Sequence, residues 1–191
     1  MNKRTLFCFF FAGVCALQAG PILTITPGTG GLAGLPGGIV GWGFSLTNDS
    51  TVDTLTVNSS FLIGESNSAL GTYTDIISFF GGPFAFALPT LSTWTEAFTY
   101  DLDPSNQAGL GYFQIDPGAT SGMTDSATLS VQYELDNAAT GAFDSSGSFD
   151  LPVSITVQTP AQTPEPGTAW MLILGVALLF SKRLAAMWQR H

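Results

Sequence analysis

Between residues 20 and 160, apolar and polar side chains alternate with a period of two in one short run after another. Val40, Trp42, Phe44 and Leu46 interleave with Gly41, Gly43, Ser45 and Thr47. Leu129, Val131, Tyr133 and Leu135 interleave with Thr128, Ser130, Gln132 and Glu134, and Val153, Ile155 and Val157 with Ser154, Thr156 and Gln158. Successive side chains of an extended chain point to opposite faces, so each run predicts a strand with one buried and one wetted face. Further strands are expected at Ile22–Thr26, Val52–Ile63, Tyr73–Phe80, Phe84–Leu88, Trp94–Leu102 and Leu110–Ile115, about nine in all.

The runs are separated by turn chemistry. Asn48-Asp49-Ser50, Gly81-Gly82-Pro83, Asp103-Pro104, Asp116-Pro117-Gly118 and Asp136-Asn137 each supply a residue tolerant of positive φ or a proline that presets φ. No stretch of the middle carries a 3.6-residue period. The expected fold is therefore all-β, an antiparallel β-sandwich of Ig-like or jelly-roll type over residues 20–157. Pro27–Gly38 is glycine-rich and reads as a linker between two strands. Residues 158–168 hold Pro160, Pro164 and Pro166 and read as an extended spacer.

The two ends differ from the middle. Lys3 and Arg4 precede an apolar run from Leu6 to Leu17, with Ala16, Ala19 and Gly20 after it. That arrangement predicts a signal peptide over 1–19, read by the Sec export machinery. At the other end, Ala169–Phe180 is uncharged and apolar and is followed by Lys182 and Arg183. Residues 169–191 are expected to form a transmembrane helix with a basic cytoplasmic tail. The twelve apolar residues reach ~18 Å at helical rise, so interfacial residues must complete the span across a core of ~30 Å.

Charge sharpens this picture. All five Lys and Arg residues lie at the ends, and the single histidine is His191. Residues 20–163 hold 13 Asp and Glu and no Lys, Arg or His, a net charge of −13. Basic residues beside membrane segments stay cytoplasmic, so the middle is expected outside. An acidic middle repels phosphates and predicts no nucleic-acid partner. Both cysteines, Cys8 and Cys15, fall in the expected signal peptide, which leaves the exported part without thiols or disulfides.

The tail has three parts in order: Pro164-Glu165-Pro166, the apolar stretch, and the basic pair Lys182-Arg183. It resembles the PEP-CTERM sorting signal of Gram-negative bacterial surface proteins, over roughly the last thirty residues. The resemblance implies an inner-membrane-anchored precursor facing the periplasm. It also implies an exosortase as processing partner, with Pro164, Glu165 and Pro166 as the sorting motif and Lys182 and Arg183 as the cytoplasmic anchor. After processing, the protein is expected at the cell surface or in the extracellular matrix, beside exopolysaccharide. The family's tails end soon after the basic cluster, whereas eight residues follow Arg183 here.

Catalytic chemistry is narrowed by elimination. Without His, Cys, Lys or Arg in 20–163, no Ser-His-Asp or Ser-Lys arrangement and no His-ligated zinc site can be built there. A carboxylate pair of the glycosidase kind survives, but no spacing singles out two acids. The expectation is a non-catalytic surface protein with no cofactor. A calcium-dependent or sugar-binding adhesion module is the first alternative, and a carboxylate-pair glycosidase the second. Asp101 and Asp103 are the calcium candidates, because Asp101, Asp103, Ser105 and Gln107 set oxygens at alternate positions. An Asp-capped turn is the competing account. The aromatic residues read mainly as core, with Phe79–Phe84 the expected exposed exception. Asn48-Asp49-Ser50 and Asn58-Ser59-Ser60 match the glycan acceptor pattern.

Overall fold

The computed structural model describes residues 20–77, 86–160 and Met171; the side chain of Phe86 is left aside. The chain divides into two compact units, 1–158 and 159–191. Ten strands are described in the first: β1 (Ile22–Thr26), β2 (Gly31–Gly34), β3 (Ile39–Asn48), β4 (Asp53–Ile63), β5 (Gly71–Asp75), β6 (Phe86–Leu88), β7 (Ser92–Glu96), β8 (Gly111–Ile115), β9 (Thr124–Asn137) and β10 (Phe143–Val157).

They form two five-stranded sheets. The first runs β1-β3-β8-β5, with β7 also on β3, and the second runs β2-β10-β9-β4-β6. β7 and β8 pair successive stretches of β3, Phe44–Asn48 and Ile39–Trp42, and residues 97–110 make an excursion between them. Both sheets contribute to one hydrophobic core. Leu23, Trp42, Phe44, Leu46 and Phe113 come from the first, and Leu55, Val57, Leu129, Val131, Val153, Ile155 and Val157 from the second. The period-two runs around β3, β9 and β10 thus bury the apolar face expected of them, in a sandwich-like arrangement.

Two expectations about the middle are corrected. The glycine-rich segment Pro27–Gly38 is not a plain linker, because Gly31–Gly34 forms β2 on β10. That pairing is parallel, so the sheets are not wholly antiparallel. The chain leaves β1 in the first sheet, passes the cis Thr26–Pro27 bond, and enters the second. Gly30 makes the crossing possible. Its φ is +70°, and a Cβ there would lie 2.4 Å from the Pro152 carbonyl oxygen. The buried Trp42 indole N–H donates to the Gly30 carbonyl at 3.0 Å and ties the crossing to the centre of the first sheet.

β9 and β10 pair over almost their whole length, from Thr156↔Thr124 to Phe143↔Asp136. β2 covers β10 only along Ser154–Val157, so the half of β10 nearer Phe143 has β9 as its one described strand partner. Among the described residues no helix is long and apolar enough to cross a membrane. The expected signal peptide 1–19 and, apart from Met171, the expected span 169–191 lie outside the described residues, as do Phe79, Phe80 and Phe84.

Candidate functional site

The outer face of the second sheet carries a polar groove of about 340 Å³, lined by Asn58, Gln132, Tyr133, Glu134, Ser146, Gly147 and Ser148. Its position follows from strand register. Ser146 lies opposite Glu134 and Ser148 opposite Gln132 on the β9–β10 ladder. On the other side, the β4–β9 register shifts between Val57 and Ser59, leaving Asn58 as an extra residue. A bulge of this kind bends the strand and re-aims side chains. The groove thus gathers two amides, two hydroxyls and one carboxylate on rigid strands. Directly beneath the ladder, Tyr133 and Phe149 stack with ring centroids 4.7 Å apart.

A second polar cluster ties the sheets together from within. Ser60 of β4 is buried, and its hydroxyl lies 2.6 Å from the Tyr73 hydroxyl, 2.9 Å from Asp75 Oδ1 and 3.0 Å from the Leu110 carbonyl. Asp75 Oδ1 also accepts the Ile77 N–H at 2.9 Å. Burial raises the Asp75 carboxyl above its ordinary value, against the opposing pull of the Ile77 and Ser60 hydrogen bonds. Burial likewise raises the Tyr73 hydroxyl, with the Asp75 charge adding to the effect. These groups sit between β4, β5 and the segment before β8, so their evident work is structural.

The third cluster lies at the start of β9. Asp125 is fully buried, and its Oδ1 accepts the Ser66 hydroxyl at 3.1 Å and the Asn67 N–H at 2.8 Å. Its Oδ2 is buried with no N–H or hydroxyl donor. Glu65 is its neighbour. Partial burial, then the Asp125 charge and a side-chain hydrogen bond with Asp125, raise the Glu65 carboxyl. No spacing in the sequence pairs these two acids, which are 60 positions apart. A buried acid opening a strand was the only available signal, and it needs the fold to be seen.

The calcium candidates from the sequence are engaged in a turn. Asp101 Oδ1 accepts the Asp103 N–H at 2.8 Å, and Asp103 Oδ1 accepts the Ser105 N–H at 3.0 Å and hydroxyl at 2.8 Å. Asp103 thereby caps the short 3-10 turn Pro104–Asn106, and the Ser105 bonds lower its carboxyl pKa. Both aspartates are exposed. Among the described residues no group of three or more His, Cys, Asp or Glu gathers as a metal site. Pro164, Glu165, Pro166, Lys182 and Arg183 lie outside the described residues.

The two glycan-pattern asparagines separate. Asn48 is fully buried and donates to the carbonyls of Asp53, Leu88 and Pro89, which removes it as an acceptor in the folded chain. Asn58 stays half-exposed in the groove.

No family model and no curated protein matches the sequence. Distantly similar solved structures include the ASH / PapD-like domain of human CEP192 (PapD-like domain 7), 10% identical, covering 72% of this chain and 87% of that one at a TM-score of 0.36. At that distance the likeness carries no argument about function.

Proposed function

We propose that this is an exported, non-catalytic surface or matrix protein whose second sheet associates with extracellular polysaccharide. The observation that carries the binding half of the reading is the groove at the Asn58 bulge. Amides, hydroxyls and a carboxylate on a fixed ladder match the dense, mixed donors and acceptors of sugar rings. With 13 carboxylates and no cationic side chain in 20–163, a neutral polymer is favoured over an anionic one. The non-catalytic half rests on the missing His, Cys, Lys and Arg and on the structural ties of Asp75 and Ser60.

The exported half rests on the tail. Pro164, Glu165 and Pro166 are the residues an exosortase would read, and the charge segregation supports a middle that lies outside the cytoplasm. For the fold, we propose the Ig-like rather than the jelly-roll class. The support is the first strand, which splits between sheets so that β2 lies parallel to the last strand, β10.

The binding test is affinity electrophoresis of the protein through gels holding neutral or anionic polysaccharides. Retardation by a neutral polymer, lost in Gln132→Ala and Asn58→Ala, is the expected result. Equal mobility in every gel would remove the polysaccharide reading, and release of reducing ends would establish an enzyme. The sorting test is separate. Glu165→Ala should leave an uncleaved, membrane-bound form in the host, and an unchanged released mass would make the motif a spacer only.

A further inference from the structure

From the cluster at the start of β9 we infer that Asp125 and Glu65 together hold a calcium ion. The argument begins with the Asp125 carboxylate, which is fully buried. One oxygen is satisfied by Ser66 and Asn67, and the other is buried with no N–H or hydroxyl donor. An anionic oxygen removed from water without a partner is costly, so buried charges are paired or coordinate metals. Residues 20–163 contain no side-chain cation that could pair with it. The group that does stand beside Asp125 is a second acid, Glu65, which precedes the Asp125-bound Ser66 and lies within side-chain hydrogen-bonding reach. Two acids that close need a positive charge shared between them, and a cation from solution can supply it.

The donor chemistry selects which cation. Only oxygen is on offer, which suits hard divalent ions. Magnesium demands a near-ideal octahedron, whereas calcium accepts an irregular shell completed by water. Glu65 is exposed, so water can reach the outer side of the site. With two carboxylates, the affinity belongs with the weak sites of extracellular modules, a Kd of ~10⁻⁴–10⁻³ M. The location gives the ion a structural task. Asp125 already fixes Ser66 and Asn67, and the Ser66 N–H donates to the Ser126 carbonyl. This is the segment by which the chain leaves β4 in the second sheet for β5 in the first. An ion bridging Glu65 to Asp125 would lock that crossing to β9. The inference does not depend on the polysaccharide reading or on the sorting motif.

The test uses the full chain, freed of metal with EDTA and melted in a calcium titration. Magnesium and sodium chloride at matched ionic strength are the controls. The melting temperature should rise with half-saturation at ~0.1–1 mM calcium, and calorimetric titration should find one site. Glu65→Gln should lose the rise. Asp125→Asn keeps the Oδ1 bonds to Ser66 and Asn67 and turns an amide toward Glu65. It should fold, melt above the native chain in EDTA, and ignore calcium. An equal rise in Glu65→Gln, or the same rise with sodium chloride, would overturn the assignment. So would a response abolished by Asp101→Asn but kept in Glu65→Gln, which would move the ion to the exposed turn. A native chain whose melting ignores calcium would also overturn it.

Discussion

Replacing Asn48 tests how the first sheet is joined to the far end of the second. Asn48 ends β3 and is fully buried. Its amide nitrogen lies 2.9 Å from the Asp53 carbonyl, 3.1 Å from that of Leu88 and 3.0 Å from that of Pro89. Its oxygen accepts the Ser50 N–H at 3.1 Å. One side chain thus satisfies the start of β4, the end of β6 and the loop before β7. Asn48→Ala strips donors from three carbonyls and an acceptor from one N–H. Each buried group left unpaired costs ~1–3 kcal/mol. The Pro89 carbonyl and the Ser50 N–H are only part-buried, so water can partly compensate them and the net loss should be about 3 kcal/mol. With a urea m-value of ~1.5 kcal/mol/M, the unfolding midpoint should fall by about 2 M at unchanged slope. Asn48→Asp is the sharper probe. It keeps the shape but sets an anion against three carbonyl oxygens, which should cost about 4–5 kcal/mol at neutral pH. Lowering the pH should recover part of that loss, because the protonated acid can donate one bond. Urea melts of the three proteins at pH 4.5 and 7 decide the matter. If Asn48→Asp is no worse than Asn48→Ala at pH 7, the bonds to Asp53, Leu88 and Pro89 do not hold this corner.

Gly30→Ala should destabilise by about 3 kcal/mol, since a positive φ and an approach of Cβ to backbone both oppose it; a thermal melt within a degree of native would refute the β1–β2 crossing. Asp75 makes a prediction about pH. Its folded pKa is raised above the ordinary 3.8, so its ionisation disfavours the fold. Its contribution to stability is greatest below the unfolded pKa and is lost as pH rises through the folded one. Asp75→Asn retains an Oδ1 for Ser60 and Ile77 and should flatten that decline in a pH series of urea midpoints. An unaltered pH profile would mean that Asp75 is not desolvated in solution.

Much of the fold was legible because strands with one buried face leave a period of two in the sequence. Val153, Ile155 and Val157 in β10 alternate with polar residues because water touches one side and the core the other, whereas in β3 the expected wetted face fails at Gly41 and Gly43, which are themselves buried beneath residues 96–98. β2 was not legible. Its four residues, Gly31–Gly34, show no alternation, and its partner Ser154–Val157 lies over a hundred residues away. The far half of β10 escaped for the opposite reason. Phe143–Asp150 is exposed or half-exposed, so no apolar face marked it as a strand.

For the site, composition alone ruled out thiol and histidine chemistry in residues 20–163 and set the charge that any partner must meet. It could not say which carboxylates matter. Asp101 and Asp103 stand two apart and looked like ligands, yet they cap their own turn, a local act that spacing imitates. Asp125 and Glu65 are brought together by a strand and the loop that crosses over it. Burial and mutual repulsion are properties of that packing. A sequence records which groups carry charge, but only the folded chain decides which of them lose their water.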